Sequence, residues 1–176
     1  MSVENKRREI LLSKGTIDER IEVLGKTLTE AYKDKNLLVI SLLKGSFIFT
    51  ADLVRKIDLP VRIEFMTTSS YGHSEESTGH VQVVQDIHVD LADYDVLVVD
   101  DITDSALTMT GVIEILSARN PKSIKSCVLL DKPSRRKVEY QPDYVGFEIQ
   151  DMFIVGYGLN YGDYFRNIDH VFAFVD

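Results

Sequence analysis

The chain has 176 residues, enough to bury a core without disulfide or metal staples. Its 44% hydrophobic and 27% charged residues are ordinary for a globular protein, and a net charge of −8 excludes a broad nucleic-acid or anionic-membrane surface. A single cysteine, Cys127, precludes an internal disulfide, and no apolar stretch has signal or membrane-spanning length, so the expected location is the cytoplasm.

In chain order, Thr16-Ile17-Asp18-Glu19 carries a capping-box pattern, and Ile17, Ile21, Leu24 and Leu28 repeat at helical spacing. Leu37 to Leu43 is an apolar run read as a buried strand, broken by Lys44-Gly45-Ser46. Phe47 to Ile57 returns to a helical pattern before Pro60, and Val61, Ile63 and Phe65 then alternate as in a strand with one buried face. Residues 67–80 are polar throughout and predict a long binding loop. Strand patterns return at 81–87, 96–100, 124–130 and 143–149, and Val171 to Val175 is a last apolar run. Strands alternating with helices predict an α/β protein, one domain over residues 1–176, with a mainly parallel sheet flanked by helices.

Chemistry concentrates in residues 96–110. Four apolar residues, Val96 to Val99, give way to Asp100, Asp101 and Asp104, interleaved with Thr103, Ser105, Thr108 and Thr110. A helical pattern with Leu107, Ile113 and Leu116 follows, and Asn120-Pro121 stops it. A strand that ends in a hydroxyl-rich turn and feeds a helix points backbone N–H groups at an anion. Carboxylates beside that anion suit a ligand that is part phosphate and part polyol. The plainer reading is that Asp, Ser and Thr here are helix caps. Lys44 and Lys132 each follow a buried-type strand, where ligands of α/β sheets gather. Arg135 and Arg136 read as a solvated or intersubunit pair. His73, His80, His88 and His170 have no metal-ligand spacing. Neither G-x-x-x-x-G-K-[ST] nor G-x-G-x-x-G is present, which leaves a triphosphate P-loop and a dinucleotide site unsupported.

The segment Asp100-Asp101-Ile102-Thr103-Asp104-Ser105-Ala106-Leu107-Thr108 resembles the phosphoribosyl-pyrophosphate motif of type I phosphoribosyltransferases. Four further segments fall in the order of the family's hypoxanthine-guanine branch: Leu42-Leu43-Lys44-Gly45-Ser46, Ser69-Ser70-Tyr71-Gly72, Leu130-Asp131-Lys132-Pro133-Ser134-Arg135-Arg136, and Asp143 to Ile149 with Phe153 to Leu159 and Tyr164-Phe165-Arg166. The resemblance implies a parallel sheet carrying a small hood formed by terminal segments. It also implies transfer of the 5-phosphoribosyl group from phosphoribosyl pyrophosphate to hypoxanthine or guanine, with Mg2+. The implied donor-binding residues are Lys44, Gly45, Asp100, Asp101, Thr103, Asp104, Ser105, Ala106, Leu107, Thr108 and Arg166. Asp104 is the implied general base, and Lys132, Phe153, Ile154 and Asn160 the implied purine contacts. Asp100, Asp101 and Asn160 are the implied metal ligands, and Ser70 and Tyr71 belong to the family's mobile loop.

The implied partners are the sugar donor, a six-oxopurine and further copies of the chain, as a homodimer or homotetramer, with neither nucleic acid nor membrane. Two alternatives stay open: a regulator that senses the donor without turnover, and a transferase acting on xanthine or another base. Three positions depart from the family pattern. Ala106 stands where glycine is usual, Asn160 where a metal-binding aspartate is usual, and Gln150 where proline precedes Asp151.

Overall fold

The protein is described here from a computed structural model covering residues 6–70 and 81–175. Strand β1 (Arg7–Leu12) leads into α1 (Lys14–Ala31), which presents Ile17, Ile21, Leu24, Gly25 and Leu28 on one buried face. The cap is Ser13, not Thr16 as the capping-box pattern predicts. Ser13 is extended (φ −70°, ψ 159°), and its hydroxyl accepts the Thr16 N–H at 3.1 Å, so the helix starts earlier.

The remaining elements are β2 (Leu37–Leu43), α2 (Phe47–Val54), β3 (Arg62–Ser70), β4 (Val81–Gln85), β5 (Asp95–Thr103), α3 (Leu107–Ser117), β6 (Ser123–Asp131), β7 (Tyr144–Glu148), β8 (Ile154–Val155) and β9 (Val171–Val175). The main sheet runs β4-β3-β2-β5-β6-β7, parallel throughout except for the antiparallel edge strand β4. On one face α1 and α2 cover Leu37, Val39, Leu97, Val99, Cys127 and Leu129. On the other, α3 covers Leu38, Ile40, Val96, Val98 and Val128. Burial on both faces explains why β2 and the first half of β5 read as unbroken apolar runs. Cys127 sits in this core, where burial pushes its thiol up to about 12, so it serves as a small hydrophobe. No described helix is long and apolar enough to cross a membrane.

Two expectations are corrected in the third strand. The predicted loop begins later than residue 67, because Thr67–Ser70 continue β3 and pair with β4. The alternation at Val61, Ile63 and Phe65 predicted a buried face, yet Ile63 is 38% and Phe65 45% exposed, while Met66 on the other face is buried. Register places Ile63 beside Val39 and Phe65 beside Ser41, on the face that α1 and α2 cover. However, α2 lies over β2 and β5 and stops short of β3.

A second, three-stranded antiparallel sheet, β1-β9-β8, forms the hood that the family resemblance implies. Arg7 pairs with Val175, so both ends of the described chain lie in it.

Candidate active site

The carboxyl ends of β2, β5 and β6 meet under the hood, the usual ligand position in an α/β sheet. Within β5 the apolar run ends as the strand leaves the core. Each carboxylate there is fixed by the next backbone amide: Asp100 accepts from the Asp101 N–H at 2.9 Å, Asp101 from Ile102 at 2.8 Å, and Asp104 from Ser105 at 2.5 Å. Burial pushes the Asp100 carboxyl well above the usual carboxylate range, and the neighbouring Asp101 adds to the rise. Asp101 is also raised by burial, held back by its hydrogen bonds and by the positive charge of Arg166. Two adjacent acids that resist ionisation form a site that favours a cation or hydroxyl donors.

Beyond them, Asp100, Thr103, Ser105, Ala106 and Thr108 line a crevice of about 60 Å3 at the start of α3. That is far below the roughly 300–1,000 Å3 of a drug-sized ligand pocket, so it suits a single anionic group. The Thr103 hydroxyl is buried and has no hydrogen-bond partner among the described residues. Ala106, immediately before α3, is buried and left-handed (φ 65°). A side chain there costs roughly 1–2 kcal/mol.

The turn after β2 forms the second wall. Ser41 bonds to Ser46 at 2.7 Å and to Thr50 at 2.8 Å, and Ser46 donates to the Leu42 carbonyl at 2.5 Å. This buried hydroxyl cluster fixes the turn and leaves Lys44 exposed at its tip; the Leu43–Lys44 peptide is cis. A Cβ at Gly45 would overlap the Asp101 carboxylate, so glycine is required for the turn to lie against it. From the hood, Gly158 (φ +99°) sits against the Gly45 carbonyl, and Arg166 donates to the Gly158 carbonyl at 2.7 Å. Tyr157 ties the same hood segment to α2 through a 2.5 Å bond to Asp52. Lys44, Gly45, Asp101, Gly158 and Arg166 are thereby brought to one corner.

A third wall comes from β6. The Lys132 side chain is 10% exposed, donates to the Met152 carbonyl at 2.6 Å and lies 3.9 Å from the Asp151 carboxylate. Phe153 is 61% exposed, its ring edge-on to Tyr161 at 5.7 Å. The Ile154 side chain, by contrast, is buried in the core beneath β8, which leaves only its backbone for a ligand. Asn160 is exposed and donates to the Gly162 carbonyl at 2.5 Å. Ser70 is the last residue of β3, while Tyr71, His73 and His80 lie outside the described residues.

Arg135 and Arg136 do not form the solvated pair that the sequence predicts. Arg135 is exposed and faces Asp151 at 3.3 Å. Arg136 is half-buried and pairs with the buried Asp131 at 2.5 Å. The signal that could have found it is Asp131 itself, a buried carboxylate closing the apolar run Cys127 to Leu130 and needing a cation partner. Gly158 and Tyr157 were also missed, because nothing local marks their contacts with the turn and with α2.

Residues 9–162 match the family described as the phosphoribosyl transferase domain. A hypoxanthine-guanine phosphoribosyltransferase of Aquifex aeolicus is 43% identical over 99% of this chain and 98% of its own length. The chain belongs to the hypoxanthine-guanine phosphoribosyltransferase family. A hypoxanthine phosphoribosyltransferase of Haemophilus influenzae is 46% identical over 93% of each chain. The crystal structure of one from Staphylococcus aureus superposes with a TM-score of 0.93 at 38% identity, covering 98% of this chain and 94% of the other. The α/β sheet with its hood is thus the phosphoribosyltransferase fold.

Against that phosphoribosyltransferase frame, Ala106 has a definite consequence. Ala106→Gly is expected to relieve part of the left-handed strain, offset by the greater freedom of glycine in the unfolded chain. The net gain of about 1 kcal/mol should raise the melting temperature by about 2–4 °C, measurable in parallel thermal melts. A lowered melting temperature would show that the alanine methyl contributes more by packing than its backbone costs.

Proposed function

We propose that this chain, as one phosphoribosyltransferase domain over residues 1–176, transfers the 5-phosphoribosyl group from phosphoribosyl pyrophosphate to hypoxanthine or guanine. The products are the purine monophosphate and pyrophosphate. One observation carries the reading: Asp104 and Lys132 directly follow the ends of adjacent strands, which the Lys132 N–H to Thr103 carbonyl bond joins at 2.9 Å, and an exposed Phe153 follows the Met152 carbonyl that Lys132 holds. The names of the relatives support the same chemistry.

In this reading the crevice at Thr103, Ser105, Ala106 and Thr108 takes the 5-phosphate on the amides at the start of α3. The orphaned Thr103 hydroxyl is a further donor for it. Asp100 and Asp101 orient the ribose hydroxyls. Lys44, the Gly45 N–H and Arg166 supply positive charge where the pyrophosphate departs. Asp104 accepts the proton from the attacking five-ring nitrogen of the purine. Phe153 stacks on the base. Lys132 has three donors and spends one on Met152, so it can also donate to the six-position oxygen. Adenine presents an amine at that position, setting donor against donor, and is rejected.

The acid pair also fits Mg2+. Its carboxylates are hard oxygen donors whose charge is disfavoured by burial, and no cluster of three or more metal-binding side chains exists among the described residues. Asp100 and Asp101 would therefore hold the ion together with oxygens of the donor, with Asn160 at the margin. When bound, Mg2+ neutralises charge on the leaving pyrophosphate. We infer a cytoplasmic location, which a reaction on a free base and a soluble sugar phosphate supports.

The test is a turnover assay of the pure protein with phosphoribosyl pyrophosphate, Mg2+ and each base in turn. Hypoxanthine and guanine should be converted and adenine should not. Robust adenine turnover overturns the reading, as does donor binding with no turnover of any base, the behaviour of a donor-sensing regulator.

The chain further works as a homo-oligomer. Ile63 and Phe65, 38% and 45% exposed on one face of β3, leave apolar surface that a second copy would bury. Light scattering should return a mass of at least twice 20.0 kDa, and Phe65→Lys should shift it toward the monomer. A wild-type monomer at working concentration refutes this assembly.

A further inference from the structure

We infer that Arg136 is the positioning residue that sets the spacing between Asp104 and Lys132, an inference that rests on the roles just proposed for those two residues. The β5–β6 ladder ends with Thr103 opposite Asp131. Beyond that pair the Lys132 N–H still bonds to the Thr103 carbonyl at 2.9 Å, but among the described residues no backbone hydrogen bond reaches Asp104 itself. Arg136 bridges the gap. One guanidinium nitrogen donates to the Asp104 carbonyl at 2.9 Å and lies at the limit of hydrogen bonding to the carbonyls of Thr103 and Lys132, at 3.4 and 3.5 Å. A second donates to the Asp131 carboxylate at 2.5 Å, and the third to the Tyr140 carbonyl at 2.9 Å.

The Lys137 N–H adds a bond to the Ser105 carbonyl at 3.0 Å, joining the same two loops. A planar fork of five donors can satisfy these acceptors at once, whereas an ammonium cannot. The Asp131 carboxylate, 2% exposed, aims the fork from the residue next to Lys132, and the Arg136 side chain is only 15% exposed, so solvent competes little for the pair. Arg136 touches no substrate position. It acts through the backbone of the base-recognising lysine and of the proton acceptor.

The test compares wild type and Arg136→Lys on hypoxanthine and on unsubstituted purine, which lacks the six-position oxygen. Lysine keeps the charge beside Asp131, so the fold should survive, as thermal melts will report. If Arg136 holds Lys132 in register, kcat/KM for hypoxanthine should fall about 10²-fold and that for purine about tenfold or less. A merely structural role lowers both by the same factor or only lowers the melting temperature, and either result overturns the inference. Should Arg136→Lys fail to fold, Asp131→Asn, which removes the carboxylate that aims the fork, takes the same comparison with the same expected and contrary outcomes. A wild type that uses purine as well as hypoxanthine overturns the role of Lys132 and this inference with it. A wild type that discriminates, paired with equal losses in the variant, overturns only the role of Arg136.

Discussion

Asp104→Asn is expected to lower turnover by about 10²–10⁴-fold while the fold and donor affinity stay near wild type. The proposed function gives the residue two separable tasks. One carboxylate oxygen accepts the Ser105 N–H at 2.5 Å and shapes the loop before α3, and an asparagine carbonyl can take over that bond. Proton acceptance from the purine cannot be taken over, because a neutral amide is a negligible base at neutral pH. Single-turnover rates, donor affinity and thermal melts of the two proteins separate these tasks. A collapsed fold would assign Asp104 a capping role, and near-normal turnover would remove it from the chemistry.

Gly158→Ala should be damaging although it lies away from the acids. The position is left-handed at φ +99°, and the added Cβ would meet the Gly45 carbonyl, a backbone atom that cannot swing aside. The backbone conformation alone costs about 1–3 kcal/mol, which at about 2–4 °C per kcal/mol is a visible loss of melting temperature. Relief requires the hood to back away from the turn that carries Lys44, taking Arg166 with it through the Gly158 carbonyl. KM for the sugar donor should therefore rise several-fold, with KM for the base nearly unchanged. Equal rises in both constants would mean that the hood moves as a whole, and no rise would mean that the turn yields instead.

The parts of the molecule legible in the sequence were those written locally. Strand, acids, hydroxyls and helix follow one another within residues 96–117, so the β5–α3 junction could be read as an anion site without any distant contact. The face that a helix covers is a different kind of fact. Alternation at Ile63 and Phe65 reports the period of a strand, but only the reach of α2 decides that this side stays open. Likewise the polar composition of residues 67–70 pointed to a loop, and pairing with β4 made them strand. Arg136 was misread for the same reason. An arginine in a polar turn looks solvated until the strand ends around it are assembled and their spare carbonyls converge on it.

The pairing of Arg7 with Val175 has a consequence for the order in which the molecule comes together. The main sheet is built from crossovers between strands near in sequence, whereas β1 and β9 join residues separated by almost the whole chain. Loop closure over that span is the most demanding entropic step of the topology, and it comes after the local units. A folding chain can thus hold its acids and the Lys44 turn in place while Gly158 and Arg166 still lack their supporting strand. The corner they close is completed after the sheet that carries the acids.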